Sequence, residues 1–356
     1  MTEKKNPASL GYIMPAEWEE HAGTLLSWPA NSETWPGERL EKVEKVYVEI
    51  VRALTSCEPV HLIVSGKEIE AKAKNILKKE LPESAPVIFH NIPGNDVWAR
   101  DFGPIFIKRD VDGKREFAIT DWEYNAWGGK YPPFNDDNNV PDWMAKEFGL
   151  KSFKTGMVLE GGSIETNGNG VILTTKSVLL NPNRNPQLTQ VEIEQKLRDY
   201  IGHGKIIWLN NGLAGDDTDG HIDDLSRFLN ENTILTMVEE NPSDPNYQAL
   251  SENYELLKSA SDANGKPFNI VTLPMPKTKI EGTTVDGSEY VPASYANFYF
   301  ANNAVLLPVY DPRHDHKAIQ LFKKCCPERK VIPIPCADLV WGQGSIHCIT
   351  QQLYGL

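Results

Sequence analysis

Two apolar strands around a polar turn recur four times along the chain, and this repetition limits the folds open to it. The turns centre near residues 112, 168, 231 and 302, roughly 55–70 residues apart. The second turn contains Asn-Gly at 167–168, a pair that favours a tight β-hairpin. The segments QLTQVEIEQKLRDYIG and NYQALSENYELLKSA, with apolar residues at helical spacing, lie between the hairpins, and a similar segment, RLEKVEKVYVEIVRALTS, precedes the first hairpin.

The repeating unit is therefore a hairpin, a helix and a further strand, such as PVHLIVS after the first helical segment. It occurs about five times, which favours an α/β fold with radial repetition around an axis. A doubly wound sheet with two halves fits less well, because it needs single strands alternating with helices. No linker-like segment interrupts the pattern, so residues 1–356 are predicted to form a single domain.

Charge and cysteine content exclude several classes of function. The chain carries 36 basic and 49 acidic side chains, a net charge of −13, which argues against nucleic-acid binding and favours a small cationic substrate. No apolar run is long enough for a signal peptide or a membrane span. The five cysteines include no C-x-x-C pair, so neither a disulfide framework nor a zinc knuckle is indicated. We expect a cytoplasmic protein that binds no membrane.

Five short stretches concentrate ionisable groups, and four of them place an acid, a histidine or a cysteine next to glycine at the mouth of a strand. In a radial fold the strand mouths converge on the axis, so residues that are distant in sequence are expected to meet there. The stretches are NDVWARDFGP (95–104), LEGGSIET (159–166), GDDTDGHIDD (215–224), RHDH (313–316) and GQGSIHC (342–348).

Cys348 is the candidate nucleophile, because two glycines before it allow its backbone to approach a ligand closely. A cysteine reacts as its thiolate and needs a base or a cation nearby. His347 is a poor partner if the segment is extended, since adjacent side chains then point to opposite faces. His221 is the better candidate, with Asp223 two residues on along the same predicted strand face. The alternative for Cys348 is a small buried apolar residue.

The acids point to a cationic substrate. Asp101, Glu160 and the five aspartates of 215–224 need a cationic counterpart if they are buried. No lysine lies within these motifs, so the substrate is expected to supply the charge. The rival is a metal ion, for which His314 and His316 offer ligands; without a recognised metal motif, we place metal catalysis below thiol catalysis.

A guanidinium ion suits this set of groups. It is planar and cationic, and two carboxylates can bind its N–H groups from the edges. Trp98 can lie against its flat face. Fixing the ion between acids and presenting a thiolate to its central carbon supplies orientation and charge complementarity.

The motifs NDVWARDFGP, LEGGSIETNGNG, DDTDGHIDD and GSIHCITQQ, in this order, resemble the agmatine deiminases and the related Porphyromonas-type peptidylarginine deiminases. The resemblance runs from MPAEWEEHAGTLLSWP to HCITQQ. It implies the guanidino-group-modifying fold, a five-bladed α/β propeller, which agrees with the repeat count. It also implies a homo-oligomer and no cofactor.

By similarity, Cys348 corresponds to the nucleophile of the family and His221 to its general acid and base. Asp101 and Asp223 correspond to the acids that hold the guanidinium, and Glu160 to the acid beside the histidine. The implied reaction converts agmatine to N-carbamoylputrescine and ammonia through a covalent thiouronium intermediate, a step of putrescine and polyamine biosynthesis.

Two further residues are assigned to substrate binding: Trp98 falls where the family lines its pocket, and Asp217 is our candidate for the far amine of agmatine. The chain departs from common family patterns at 342–345, which read Gly-Gln-Gly-Ser, and at Asp219, where many members have asparagine. Both departures concern the substrate's surroundings. The alternatives are deimination of arginine in peptides, amidino transfer to an amine, and a cation-binding protein without turnover.

Overall fold

The computed structural model describes residues 5–277, 284 and 286–356, and within them five small sheets are arranged as a five-bladed α/β propeller. The predicted fold class is thereby confirmed. The strands are β1 (Gly23–Ser27), β2 (Val60–Val64), β3 (Val87–Asn91), β4 (Ile105–Val111), β5 (Lys114–Glu123), β6 (Lys151–Val158), β7 (Ile164–Thr166), β8 (Val171–Thr175), β9 (Lys205–Leu209), β10 (Ser226–Asn230), β11 (Thr233–Val238), β12 (Asn269–Pro274), β13 (Tyr299–Ala301), β14 (Ala304–Val309), β15 (Lys330–Pro335) and β16 (Gln351–Leu353).

Helices connect the strands within and between blades. They are α1 (Arg39–Thr55), α2 (Lys67–Glu80), α3 (Ala99–Phe102), α4 (Ala126–Gly129), α5 (Asn135–Asn138), α6 (Val140–Glu147), α7 (Lys176–Leu179), α8 (Gln190–Ile201), α9 (Tyr247–Lys258), α10 (Asp315–Cys325), α11 (Ala337–Val340) and α12 (Ile346–Ile349), with short 3-10 turns at Ala8–Leu10, Gly161–Ser163 and Ile222–Asp224. Among the described residues, each helix is too short or too polar to cross a bilayer.

Four of the sheets are built from the predicted unit. A hairpin forms the inner and middle strands, and after a helix the chain adds a third strand parallel to the middle one. The strand orders are β4-β5-β6, β7-β8-β9, β10-β11-β12 and β13-β14-β15. The four predicted turns are the hairpin turns of these sheets.

The remaining sheet closes the ring with strands from both ends of the chain. Its order is β16-β1-β2-β3, and β1 pairs antiparallel with β16, as a hairpin would, with Gly23 opposite Leu353. β2 then runs parallel to β1 after helix α1. Helix α1 packs because its apolar positions follow helical spacing; Val43, Tyr47, Val51 and Leu54 are all fully buried.

Short helical turns precede four of the five inner strands. Helix α3 leads into β4, the turn Gly161–Ser163 into β7, the turn Ile222–Asp224 into β10 and α12 into β16. The segment 294–298 leads into β13 in the same way. These five entrances bring together the motifs that are distant in sequence.

Candidate active site

Cys348 lies in helix α12 and is 5% exposed, with its thiol held by a residue of the neighbouring blade. The Nδ2 of Asn297 donates a hydrogen bond to Cys348 Sγ (3.1 Å). The Oδ1 of Asn297 accepts from the backbone N–H of His347 (2.9 Å). The prediction that residues 347–348 are extended is wrong, because Asn297 supplies partners for N–H groups at the start of a helical turn.

His347 lies between two carboxyl groups, one of which belongs to Asp223. Its Nδ1 is 2.7 Å from Asp223 Oδ2, and its Nε2 is 2.7 Å from Glu17 Oε2. Asp223 itself lies in a 3-10 turn, so its predicted place on a strand face with His221 is also corrected. The two side chains nevertheless approach, with His221 Nδ1 4.0 Å from Asp223 Oδ1.

The predicted catalytic residues converge around His221. Its Nδ1 is 3.7 Å from Asp101 Oδ1, and its Nε2 is 4.0 Å from Glu160 Oε2. Cys348 Sγ is 3.9 Å from Asp223 Oδ2. All of these side chains are buried. Four of the five entrances thus bring one thiol, one imidazole and three carboxyl groups close together.

Several polar atoms in this cluster have no hydrogen-bond partner within the described structure. They are both ring nitrogens of His221, Oδ1 of Asp223 and Oε2 of Glu160. Buried polar atoms without partners are costly, and most proteins satisfy them. Four such atoms in one place, two of them acceptors on carboxyl groups, indicate a site built to receive hydrogen-bond donors from a ligand.

The other oxygens of the same carboxyl groups are fixed by neighbouring side chains. Arg184 Nε donates to Glu160 Oε1 (2.6 Å), and Trp127 Nε1 donates to Asp101 Oδ2 (2.9 Å). The prediction that the substrate provides the missing positive charge is therefore wrong for Glu160, whose cation is the buried Arg184. Sequence motifs did not reveal this pair because Arg184 lies outside them.

Trp127 reaches Asp101 through an uncommon backbone. Its φ of 54° lies in the left-handed region, as does the φ of 52° at Ala126. Residues other than glycine, asparagine and aspartate rarely adopt this backbone conformation, and those that do are often found at functional sites. The following Gly128 donates its N–H to the Asn125 side chain (2.8 Å), which fixes the turn.

Burial shifts the protonation of the cluster. Burial and then the negative charge of Glu160 raise the pKa of Asp101 to about 7, against hydrogen bonds from Trp127 and Gly162. Burial and nearby carboxylates raise the pKa values of Asp223 and of the Cys348 thiol well above their usual ranges. Burial and then Arg184 hold the pKa of His221 well below its usual range. A cation bound here would favour the ionised acids and the thiolate.

The cluster opens into a cavity of about 620 Å³. Asp101, Cys348 and Trp98 line its inner end, and Trp98 packs against Trp35 with ring centroids 5.7 Å apart. Asp217 lines the same cavity. Its Oδ1 is 3.4 Å from Lys130 Nζ, and its Oδ2 accepts a hydrogen bond from Tyr131.

The histidines considered for metal binding are separate from this site. His314 Nδ1 lies 2.8 Å from Asp311 Oδ2 on a partly exposed turn, and neither His314 nor His316 lines the cavity. Ligand atoms of Asp223, Asp224 and Cys348 lie within 4.8 Å of one another. The absence of a metal at the reacting groups stays a prediction.

Sequence reasoning missed several residues that shape the site. Asn297 was detectable in principle, because it stands at the mouth of the fourth predicted hairpin. Arg184 and Trp127 carry no such signal, since their partners lie 24 and 26 residues away and only the fold brings them together. Asp224, whose Oδ1 accepts from Asn297 (2.9 Å), was seen only as part of an acidic run.

A five-bladed α/β propeller with a thiol, a histidine and acids on its axis defines an enzyme of the guanidine-modifying class. The sequence model of the family described as Porphyromonas-type peptidyl-arginine deiminase matches residues 13–353, and the chain belongs to this family. As a member, it is a hydrolase acting on carbon–nitrogen bonds.

Three similar proteins agree with this assignment. A putative agmatine deiminase of Legionella pneumophila is 40% identical over 347 residues, covering 97% of this chain and 96% of the relative. The agmatine deiminase of Enterococcus faecalis has a similar structure, with a TM-score of 0.89 and 30% identity over 99% of this chain and 98% of that one. A cysteine-to-serine variant of C. jejuni agmatine deiminase, solved with substrate bound, gives a TM-score of 0.86 and 33% identity over 97% and 96% of the two chains.

Proposed function

We propose that this protein hydrolyses the guanidinium group of agmatine, giving N-carbamoylputrescine and ammonia. The names of its relatives and of its structural neighbours support this reaction. The single structural observation that carries it is the group of unpartnered polar atoms of His221, Asp223 and Glu160 beside the Cys348 thiol.

The charge of the cavity supports agmatine, a dication. Five carboxyl groups line it, those of Glu33, Asp96, Asp101, Asp137 and Asp217; burial raises the pKa of Asp137 to about 8, so the negative charge at neutral pH resides on the others. The only basic residue among those that line it in the described structure is Lys130, which is already paired with Asp217 and Asp219. A free arginine would bring an α-carboxylate into this acidic cavity without a free cation to receive it.

Binding of the head group would use the acids at the inner end. In the proposed complex, Asp101 and Asp223 accept N–H groups of the guanidinium, and Trp98 lies against its face. The incoming positive charge lowers the pKa of Cys348 and stabilises the thiolate, because nearby carboxylates are among the causes that raise this pKa in the empty site.

Chemistry then proceeds in two halves. The Cys348 thiol gives its proton to His221 as Sγ forms a bond to the guanidinium carbon, and His221 passes that proton to the leaving nitrogen so that the tetrahedral adduct breaks its carbon–nitrogen bond and expels ammonia. Water replaces the ammonia, loses a proton to His221 and attacks the thiouronium carbon, which breaks the carbon–sulfur bond. Glu160, 4.0 Å from His221 Nε2, supports the charged form of the histidine during both halves.

The finer assignments complete the proposal. Asp217 is the candidate partner of the far amine, which would have to compete with Lys130 for that carboxylate. Residues 1–356 are taken as one catalytic domain without a cofactor. We also propose that the protein is cytoplasmic and homo-oligomeric, and that it binds no nucleic acid.

The test compares substrates with purified protein. Ammonia and ureido product are measured with agmatine, butylguanidine, free arginine and an arginyl peptide. We expect agmatine to have the highest kcat/KM, and butylguanidine to lose efficiency because it lacks the amine assigned to Asp217. Cys348→Ala is expected to abolish turnover and to retain agmatine binding.

Three outcomes would overturn the proposal. Equal or better turnover of the arginyl peptide would favour the peptidylarginine reaction for which the family is described. Turnover by Cys348→Ala at the wild-type rate would exclude the covalent mechanism. A guanidinylated amine in place of a ureido product would instead indicate amidino transfer.

A further inference from the structure

The two short contacts of the His347 ring require one more hydrogen atom than a neutral imidazole carries. Both of its ring nitrogens face carboxyl oxygens at 2.7 Å, Asp223 on one side and Glu17 on the other. A neutral imidazole has one N–H, so it can satisfy only one of two acceptors. The second contact therefore requires an additional proton, on the ring or on one of the two acids.

His203 provides the contrast. It is buried to the same degree and also uses both ring nitrogens. Its Nδ1 accepts from the backbone N–H of Gly170 (3.1 Å), and its Nε2 faces the carbonyl oxygen of Met14 (2.9 Å). One N–H satisfies both contacts at His203, so no additional proton is needed there.

The charges around His347 decide where its additional proton resides in the empty site. On the Glu17 side, Arg100 and Arg227 pair with the carboxylate, at 3.3 and 3.0 Å. On the other side, burial and then Asp101 raise the pKa of Asp223, and the opposing charges of Arg227 and Arg100 do not cancel this rise. The proton is therefore most stable on Asp223, since its removal would add a negative charge to an acidic group.

The directions of the pKa shifts agree with this distribution. Burial alone would raise the pKa of Glu17, but Arg227 and His347 outweigh it and hold that pKa well below its usual range. Burial, Arg100 and Arg227 hold the pKa of His347 low, while Glu17 opposes them. The empty site thus contains a neutral Asp223 that donates to Nδ1 of a neutral His347.

We propose that His347 is a positioning residue that takes the proton of Asp223 when the guanidinium binds. The O–H bond of Asp223 breaks and an N–H bond forms at Nδ1, while the Nε2–H stays on Glu17. Asp223 becomes a carboxylate that can bind the cation, and the imidazolium formed is held between two carboxylates. No proton needs to leave the protein for Asp223 to ionise.

The geometry also explains the free oxygen of Asp223. His347 holds Oδ2, and Oδ1 has no partner within the described structure and lies 4.0 Å from His221 Nδ1. The substrate-facing oxygen is therefore oriented by His347. This inference rests on the proposed function, because it needs a guanidinium to arrive at Asp223.

The number of protons released when agmatine binds tests this inference. Agmatine is titrated by calorimetry, at about pH 8 and in buffers of different ionisation enthalpy, into Cys348→Ala alone and combined with His347→Asn or Glu17→Gln. His347→Asn removes the group that accepts the proton of Asp223, and Glu17→Gln removes the anion that stabilises the imidazolium. Each double variant is therefore expected to release about one more proton per bound agmatine than Cys348→Ala alone. Cys348→Ala combined with His203→Asn is expected to match Cys348→Ala alone.

Kinetics with the intact thiol gives a second measurement. In His347→Asn, KM for agmatine should rise more steeply than in the wild type as the pH falls, while the pH dependence of kcat is retained. Equal proton release in all the variants would overturn the inference and leave the proposed function intact. Absence of agmatine binding to Cys348→Ala would overturn the proposed function and the inference with it.

Discussion

Asp101 shows how a single hydrogen bond can set the pH range of the site. Its pKa is raised to about 7 by burial and by Glu160, and the hydrogen bond from Trp127 Nε1 works against that rise. The protonated acid cannot accept a guanidinium N–H in the same way, so binding should weaken as the pH falls through this pKa.

Trp127→Phe keeps the ring and removes the N–H. The pKa of Asp101 should then rise further, and the acidic limb of kcat/KM should move to higher pH by about one unit, the effect expected of a hydrogen bond to a charged group. The pH–rate profile with agmatine measures the shift. Trp143→Phe, a substitution in α6 away from the cavity, should leave the limb unchanged; identical limbs for the two variants would contradict the prediction.

At the scale of elements, the short turns before the inner strands determine which atoms meet. The turn Gly161–Ser163 shows how closely they pack. A Cβ added at Gly162 would lie 2.7 Å from His221 Nδ1 and 2.8 Å from Asp101 Oδ1. The closeness of these atoms requires glycine at this position. The backbone conformation does not, since φ of Gly162 is not in the left-handed region.

Gly162→Ala should therefore displace the imidazole or the carboxyl group. A misplacement of about 1 Å typically lowers catalysis about 100-fold, and we expect a loss of kcat/KM of that order. Gly204→Ala is the matched control, since a Cβ there meets no atom within 4 Å and φ is not positive. Steady-state kinetics and thermal melts of both variants separate a local displacement from unfolding; wild-type kcat/KM in Gly162→Ala would refute the prediction.

At the scale of the whole molecule, the pairing of β1 with β16 closes the propeller. It joins residues near opposite ends of the chain, and β16 directly follows the helix that carries Cys348. Leu353 and Tyr354 beside this joint are buried, and Tyr354 Oη donates to the carbonyl oxygen of Ala16 (3.1 Å). Closure and the position of the thiol thus depend on the same contacts.

Truncation after Thr350 should abolish both the closure of the propeller and the positioning of the Cys348 thiol. Loss of two large buried side chains and of a strand costs about 5–10 kcal/mol, which is comparable to the whole stability of a typical domain. Thermal unfolding followed by circular dichroism should show no native-like transition. Removal of Leu356 alone, which is 42% exposed, should preserve the transition and the activity; a truncated chain that melts like the full chain would disprove this role of closure.

The sequence predicted those features that depend on local order. The hairpins near 112, 168, 231 and 302 are encoded by turn residues between apolar runs, and α1, α8 and α9 by apolar residues at helical spacing. Cys348, His221 and Asp101 stood out because each lies in a motif at a strand mouth. The roles assigned to them remain proposals, together with those of Glu160, Asp223, Trp98 and Asp217.

The sequence by itself therefore determined the repeating unit, the family and the types of reactive group, because each is encoded within short stretches. Only the tertiary structure decided which atom of each group is held and which is free. Arg184 fixes one oxygen of Glu160, and His347 fixes one oxygen of Asp223 across 124 residues of chain. Such pairs form only when the closed ring excludes water and forces buried charges to find partners, and no local pattern encodes that condition.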